Sequence, residues 1–245
     1  MRVLFIGNSY TFYHDMPTEL FQRIAESAGV DMTVDSVTRG GWTLEKFADS
    51  QSVFGAQIDE LIEKNQYDAI VLQEQSVRPA EEHAYTAFFD AVRRLKNKIT
   101  KKQGSRIILF ETWSHESGSE TLLKRNWTHD DMTWRLAAAY AAIAKELELE
   151  VAHVGQAFWQ VCNAHPQIDL YAHDSRSHPS PAGSFLAALT LFAKISGLDP
   201  TSIHFNAQES ELTATALKGA ARNACVNPIP IPAKYQISSI GITCS

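Results

Sequence analysis

Five polar segments of the 245-residue chain carry the residue types that acyl-transfer chemistry requires. Together they contain serine, histidine, acids, glycines and amides; the segments are residues 7–11, 39–43, 73–76, 111–115 and 173–179. A serine hydroxyl becomes an effective nucleophile when a histidine takes its proton, and the histidine needs a carboxylate that holds its tautomer. The tetrahedral intermediate also needs N–H donors for its oxyanion. The residue types therefore favour acyl transfer.

Ser9 is the candidate nucleophile because it follows a short apolar strand and precedes a helix. At such a turn its own N–H and the positive helix end face an oxyanion. Gly41 lacks a side chain and can bring in a second N–H, and Gln75 can supply a side-chain amide. A lone serine after a strand is usually a turn or helix-capping residue. The hypothesis therefore depends on several such residues meeting in one site.

Alternating strand and helix signals predict how these segments are positioned. The predicted strands cover residues 3–6, 32–37, 67–72, 106–110 and 151–154. The predicted helices cover residues 17–28, 43–65 with a break around Gly55, 81–102, 130–149, 182–196 and 208–224. This alternation predicts an α/β fold with a mostly parallel sheet of about five strands and helices on both faces. In such sheets ligands bind at the carboxyl ends of the strands, where the polar segments lie.

The chain is predicted to form one domain over residues 1–200, with residues 201–245 as a C-terminal helix and extended tail packed on it. The tail, residues 226–245, contains three prolines and is interpreted as an arm on this body or on a second subunit, which would make a homo-oligomer. The polar segment 114–129 is predicted to be a long loop beside the site. Its flanking histidines, His115 and His129, are candidates for substrate contact.

Composition excludes several function classes. With 22 Lys and Arg against 28 Asp and Glu, the net charge is −6, and no basic stripe suits nucleic acid. No apolar run approaches the roughly 20 residues of a membrane span. The first residues do not resemble a signal peptide, so a cytoplasmic location is expected. The three cysteines form no CxxC motif, and we expect no disulfide framework, catalytic metal or cofactor.

Three segments resemble the sequence blocks of the SGNH (GDSL-like) hydrolases. In chain order they are Gly7-Asn8-Ser9 after the first strand, Gly41-Trp42-Thr43-Leu44, and Asp174 to His178-Pro179 followed by Ser180-Pro181-Ala182-Gly183. The first block has Asn where the family more usually has Asp. The resemblance covers roughly residues 2–199.

The resemblance implies a three-layer α/β/α sandwich of flavodoxin-like type and hydrolysis of carboxylic esters, commonly acetyl groups on sugars, thioesters or lipids. It implies that Ser9 is the nucleophile, His178 the base and Asp174 the acid that orients it. The Gly41 N–H would line the oxyanion hole. The expected substrate is a short-acyl ester, such as an O-acetyl carbohydrate, cleaved through an acyl-enzyme.

The sequence departs from the family pattern in two places. The third block usually reads Gly-x-Asn-Asp with Asn as an oxyanion donor, whereas here Gln75 is the positional counterpart, with Gln73 or Asn126 as alternative donors. Asn8 and Trp42 adjoin the main candidates and are further predicted to contact substrate or oxyanion. The acid and histidine of the final block are usually three residues apart, whereas Asp174 and His178 are four apart.

Two other functions are compatible with parts of the sequence. A non-catalytic member of the fold that binds glycans would explain the altered third block. A flavodoxin-like binder of phosphate or flavin would use the polar loop after the first strand. That loop has fewer Gly, Ser and Thr residues than such a binder needs, and this alternative leaves Asp174 and His178 unexplained.

Overall fold

The computed structural model describes residues 1–237, and within them the core is one five-stranded parallel sheet. Its strand order is β2-β1-β3-β4-β5, and each neighbouring pair is parallel. The strands are β1 (Arg2–Gly7), β2 (Thr33–Thr38), β3 (Ala69–Leu72), β4 (Arg106–Phe110) and β5 (Glu150–Ala152). The predicted α/β architecture with its parallel sheet is confirmed.

Strand β1 lies inside the sheet and is buried on both faces. Val3 and Phe5 point into one hydrophobic cluster, whereas Leu4 and Ile6 point into the other, because successive side chains of a strand alternate. Ile6 pairs with Val37 of β2 and with Leu72 of β3. The chain therefore leaves β1, β2 and β3 at the same edge of the sheet.

Helices cover both faces of the sheet and complete a three-layer sandwich. They are α1 (Ser9–Phe12), α2 (Phe21–Ser27), α3 (Leu44–Phe47), α4 (Val53–Lys64), α5 (Tyr85–Thr100), α6 (Glu120–Arg125), α7 (His129–Leu147), α8 (Val154–Ala164), α9 (Pro181–Ser196) and α10 (Glu211–Val226). One face packs against α2, α8, α9 and α10, and the opposite face packs against α3, α4, α5 and α7.

The helix predicted over residues 43–65 is two helices, α3 and α4, but the break does not lie at Gly55. Residues 48–52 separate them, and Gly55 lies inside α4. Ser52 caps α4 by accepting a hydrogen bond from the Gly55 N–H at 3.0 Å. A Cβ on Gly55 would lie 1.9 Å from the Asp49 carbonyl oxygen, so the glycine permits close packing of the preceding turn. The predicted break at Gly55 was wrong.

Three helices were absent from the sequence prediction, and the first of them is the four-residue α1 (Ser9–Phe12). Helix α6 lies within the segment 114–129 that was predicted to be a loop. Helix α8 begins at Val154, where the fifth strand was predicted to end, although β5 already ends at Ala152. The apolar spacing of Val154, Ala157, Phe158 and Val161 is helical, and these four side chains are buried. That signal could have identified α8.

Helix α10 and the segment after it contact the domain formed by the preceding residues. Helix α10 packs against α8 and α9. Beyond it, the Ile229 N–H donates to the buried Gln156 side chain at 2.6 Å, and the Tyr235 hydroxyl bonds Asp131 on α7. A homo-oligomer through the tail stays a prediction, and its last residues, 238–245, lie outside the described residues. Among residues 1–237, no helix is both long and apolar enough to cross a membrane.

Candidate active site

Ser9 stands at a tight junction between β1 and α1. Gly7 ends the strand, and a Cβ there would lie 2.3 Å from Thr11 Oγ1 and 2.6 Å from Gln73 Oε1. Asn8 caps the helix, since its side-chain oxygen accepts a hydrogen bond from the Tyr10 N–H at 3.2 Å. The nucleophile candidate is therefore the first helical residue, held between a buried turn and a cap.

The structure brings His178 next to Ser9, although the two residues are 169 positions apart in the sequence. Nε2 of His178 lies 2.9 Å from the Ser9 Oγ, within hydrogen-bond distance. The backbone around His178 is fixed, because its carbonyl accepts from the Ala172 N–H at 2.9 Å and its N–H donates to the Ser175 Oγ at 3.0 Å. The Trp113 indole N–H donates to the neighbouring Ser177 carbonyl at 3.0 Å.

Asp174 lies in the same loop as His178 but is exposed, and no hydrogen bond joins the two side chains. Nδ1 of His178 is buried and has no hydrogen-bond partner within residues 1–237. Burial lowers the pKa of His178, and the negative charge of Asp174 opposes that shift. The carboxylate therefore acts on the imidazole through its charge, whereas the face of the ring is covered by Tyr13, stacked at 4.3 Å.

The glycine loop, which we define as residues 39–43, follows β2 beside Ser9. Gly41 has a φ of +70°, in the left-handed region that glycine adopts without strain. The Asn8 side-chain amide donates to the Trp42 carbonyl at 3.0 Å and so ties this loop to the Ser9 turn. The Trp42 ring packs between Phe47 and Phe54 in the core, so its side chain is structural while its carbonyl is part of the link.

The glutamine loop, defined as residues 73–77, follows β3. The side-chain oxygen Oε1 of Gln75 accepts from the N–H groups of Val77 and Arg78 at 3.0 and 3.1 Å, and its side-chain Nε2 donates to the Ser76 Oγ at 3.3 Å. Gln73 is fully buried. Its side chain accepts from the Asn8 N–H and Thr11 hydroxyl, both at 2.8 Å. Gln73 therefore stabilises the Ser9 turn from inside the protein. Of the two glutamines, Gln75 is the one that lines the cleft.

These elements surround a cleft of about 600 Å³. Its lining includes Ser9, Gly41, Gln75 and His178 from the predicted set, together with Ser76, His115 and Tyr13. His115 Nε2 lies 3.4 Å from the Ser76 Oγ. Burial, with smaller contributions from the positive charges of Arg125 and His178, lowers the pKa of His115 to about 4. A neutral, polar imidazole therefore faces the cleft near neutral pH.

Other candidates lie away from this cleft. His129 bonds the Tyr171 hydroxyl at 3.0 Å, and Asn126 ends α6 in a left-handed conformation. Burial raises the pKa of the free thiols of Cys162 and Cys225 to about 11, and Cys244 lies outside the described residues. In residues 1–237 no three His, Cys, Asp or Glu side chains are grouped to hold a metal ion.

Comparison with known proteins identifies the family. A protein from Slackia heliotrinireducens described as an SGNH hydrolase is 34% identical to this chain, and the match covers 78% of this chain and 97% of the other, with a TM-score of 0.66. The chain belongs to the SGNH hydrolase family. No protein-family model matches the sequence, and no curated protein matches it.

Two more distant structures show the SGNH hydrolase fold alone. A DUF4886 family protein from Bacteroides uniformis ATCC 8492 is 17% identical, with a TM-score of 0.81 over 95% of this chain and 97% of its own. An acetyl xylan esterase from Geobacillus stearothermophilus is 18% identical, with a TM-score of 0.56 over 79% of this chain and 94% of its own.

Three side chains around the site of this SGNH hydrolase were not among the site residues predicted from the sequence. Tyr13 and Ser76 stand close to Ser9 and Gln75 in the sequence, so their adjacency to the predicted loop ends was an available signal. Glu74 lies between the two glutamines, where burial of a carboxylate gives no sequence signal. His115 was a candidate for substrate contact, and the structure places it in the cleft.

Proposed function

We propose that this SGNH hydrolase is a serine ester hydrolase that forms an acyl-enzyme intermediate on Ser9. The observation that carries the proposal is the 2.9 Å contact between the Ser9 Oγ and His178 Nε2 in an open cleft. A serine and a histidine in this relation form a nucleophile and its general base. The glycine and glutamine loops beside them provide N–H groups for an oxyanion.

In the first half-reaction the Ser9 oxygen attacks the ester carbonyl carbon while His178 Nε2 takes the hydroxyl proton. The carbonyl oxygen becomes an oxyanion that accepts hydrogen bonds from the N–H groups of Ser9 and Gly41 and from the Gln75 amide. The intermediate collapses, the bond to the alkoxy oxygen breaks, and His178 gives its proton to the departing alcohol. The acyl group remains on Ser9.

In the second half-reaction His178 takes a proton from water, whose oxygen attacks the acyl carbon. The Ser9 oxygen then leaves, regains its proton from His178, and the carboxylic acid departs. The charge of Asp174 favours the imidazolium that forms in each half-reaction, in agreement with its effect on the pKa of His178. No metal or cofactor enters this scheme.

We propose a short-acyl ester as the substrate, with O-acetyl carbohydrate as the class. The support is that polar side chains, Ser76 and His115, stand in the cleft where a hydroxylated alcohol could hydrogen bond. The acetyl xylan esterase with the same fold supports the class by analogy alone.

The test compares wild type with Ser9→Ala and His178→Ala on p-nitrophenyl esters of increasing acyl length and on acetylated sugars. We expect wild type to hydrolyse these esters and kcat to fall by about 10³-fold or more in each variant, because the serine and the histidine act as one unit. Full turnover by Ser9→Ala would contradict the mechanism. A wild type that hydrolyses no ester but binds glycans would support the non-catalytic alternative.

A further inference from the structure

Glu74 is a buried carboxylate that the proposed reaction does not use. Its side chain has 0% exposure. It accepts hydrogen bonds from two backbone N–H groups, that of Gln75 at 2.6 Å and that of Leu44 at 3.2 and 3.3 Å from its two oxygens. A buried carboxylate is unfavourable unless such donors satisfy it. The two donors therefore explain how Glu74 is tolerated inside the protein.

One donor adjoins one of the two loops that carry the proposed oxyanion groups, and the other donor belongs to the second of these loops. Leu44 directly follows the glycine loop, which holds Gly41, and Gln75 is part of the glutamine loop. Glu74 itself is anchored to α7, since its backbone N–H donates to the Tyr140 hydroxyl at 3.3 Å. One residue thus connects both loops, and its backbone is fixed to α7 in the helix layer that also contains α3.

We propose that Glu74 is a positioning residue that holds the glycine and glutamine loops in the register in which the Gly41 N–H and the Gln75 amide face one oxyanion. The proposal rests on the proposed esterase function and names a part of the site that this function needs. Oxyanion donors accelerate a reaction only when they are already aimed at the developing charge. We call the hydrogen bonds of the Glu74 carboxylate to the Leu44 and Gln75 N–H groups the bridge. Loss of the bridge should lower kcat by a larger factor than it raises KM.

The bridge has a pH dependence that a neutral side chain would lack. Burial raises the pKa of Glu74 to about 7, while the N–H groups of Gln75 and Leu44 and the charge of Arg78 oppose the rise. The negative charge of Glu45 adds to it, and the Tyr140 hydroxyl faces the same residue from α7. Below about pH 7 the carboxyl gains a proton, which relieves the cost of burying its charge but weakens its hydrogen bonds to the two N–H groups, so the positions of the loops should depend on pH.

The experiment compares Glu74→Gln with Glu111→Gln, a matched control. Glu111 is also a buried carboxylate that follows a central strand, but it pairs with His153 at 2.8 Å and does not reach the cleft loops. With p-nitrophenyl acetate from about pH 5 to about pH 9, we expect kcat of Glu74→Gln to fall about 10- to 100-fold with KM within about threefold. The control should keep kcat within about threefold of wild type.

The acid limb of the pH profile separates positioning from a merely structural role. In wild type, both Glu74 and His178 must be deprotonated, whereas in Glu74→Gln only His178 remains to titrate. The acid limb of the variant should therefore move to lower pH. A structural role would lower the folded fraction, which labelling of Ser9 by a fluorophosphonate measures, without moving this limb.

Each remaining outcome decides between the proposals. A folded Glu74→Gln with wild-type kcat and an unmoved acid limb would overturn the role of Glu74. If that variant does not fold, Glu74→Asp keeps the charge with a shorter reach, and it should lose kcat while keeping the acid limb of wild type. Wild-type kcat in Glu74→Asp would also overturn the role. A wild type that is neither labelled nor active would instead refute the esterase function itself.

Discussion

The ring of Tyr13 lies flat on the imidazole of His178, with centroids 4.3 Å apart and planes 5° from parallel. Nδ1 of this imidazole donates to no carboxylate or other acceptor in the part of the chain that is described, so no hydrogen bond at Nδ1 fixes the ring. Tyr10 meets the same imidazole edge-on at 5.8 Å. Aromatic packing therefore holds the plane of the proposed base.

Removal of the stacked ring should impair the base. An aromatic face attracts an imidazolium, so we expect Tyr13→Leu to lower the pKa of His178 and to reduce kcat about tenfold, a loss of about 1.4 kcal/mol in transition-state stabilisation. Tyr13→Phe keeps the ring and is the matched control, with kcat within about threefold of wild type. NMR titration of the His178 ring proton measures the pKa directly. Unchanged kcat and pKa in Tyr13→Leu would show that the stack is incidental.

Asp174→Asn tests whether the exposed acid acts through charge or through a hydrogen bond. Since no hydrogen bond joins Asp174 to His178, we expect kcat to fall only about three- to tenfold, against about 10⁴-fold where an acid holds the tautomer of the base. The pKa of His178 should fall, because the opposing negative charge is gone. Asp169→Asn, in the same loop and paired with His173 at 3.3 Å, serves as the control.

A loss near 10⁴-fold in Asp174→Asn would mean that this carboxylate binds Nδ1 during turnover. The four-residue spacing between the acid and the histidine would then be compatible with a complete triad. The value of kcat in Asp174→Asn thus decides whether Asp174 is the acid that orients His178.

The sequence was sufficient to predict that Ser9, Gly41 and His178 lie in one cleft, because each belongs to a local pattern, and their roles in the reaction stay predictions. Parallel strands deliver their carboxyl ends to one edge, so a short apolar strand followed by a polar turn already places its residues in the cleft. Gln75 was predicted by the same logic, and the structure places it in the lining. The sequence therefore predicted the fold, and the residues that line the cleft, where strand periodicity is followed directly by turn residues.

What the sequence did not predict depends on contacts between distant segments. The Tyr13 stack joins residues 165 positions apart, and the hydrogen bond from the Leu44 N–H to Glu74 joins the start of α3 to the loop after β3. Helix α8 was missed because the end of β5 and the start of the helix are both apolar. A contact between residues far apart in the sequence leaves no pattern in either segment. A boundary between two apolar elements likewise leaves no change in hydrophobicity that would mark it.

His115 should affect substrate selection without titrating in the working range. Its pKa of about 4 keeps it neutral above about pH 5, so its ring can donate or accept a hydrogen bond but carries no charge. We expect His115→Leu to raise KM for acetylated sugars about three- to tenfold and to leave the acid limb of the pH profile in place. Ser76→Ala, which removes the hydroxyl 3.4 Å away, is the companion variant.

KM measured on p-nitrophenyl acetate and on an acetylated sugar separates the two roles of His115. A change confined to the sugar supports recognition of the alcohol part of the ester. A shift of the acid limb in His115→Leu would instead mean that this histidine takes part in proton transfer.

Gly183 shows why the final sequence block needs a glycine before its helix continues. A Cβ at Gly183 would lie 2.3 Å from the Leu170 carbonyl oxygen, a backbone atom of the segment that leads to His178. Gly183→Ala gains about 1 kcal/mol in helix propensity. Because the clash is with backbone and cannot relax cheaply, we expect a net loss of about 1–3 kcal/mol in the free energy of unfolding.

Gly219→Ala is the control, since Gly219 lies inside α10 and a Cβ there meets nothing within 4 Å. It should stabilise the protein by about 0.5–1 kcal/mol, the propensity gain without a clash. Urea unfolding monitored by circular dichroism measures both free energies. If Gly183→Ala were as stable as Gly219→Ala, α9 could move away from Leu170 freely, and the close approach would not be what requires glycine at this position.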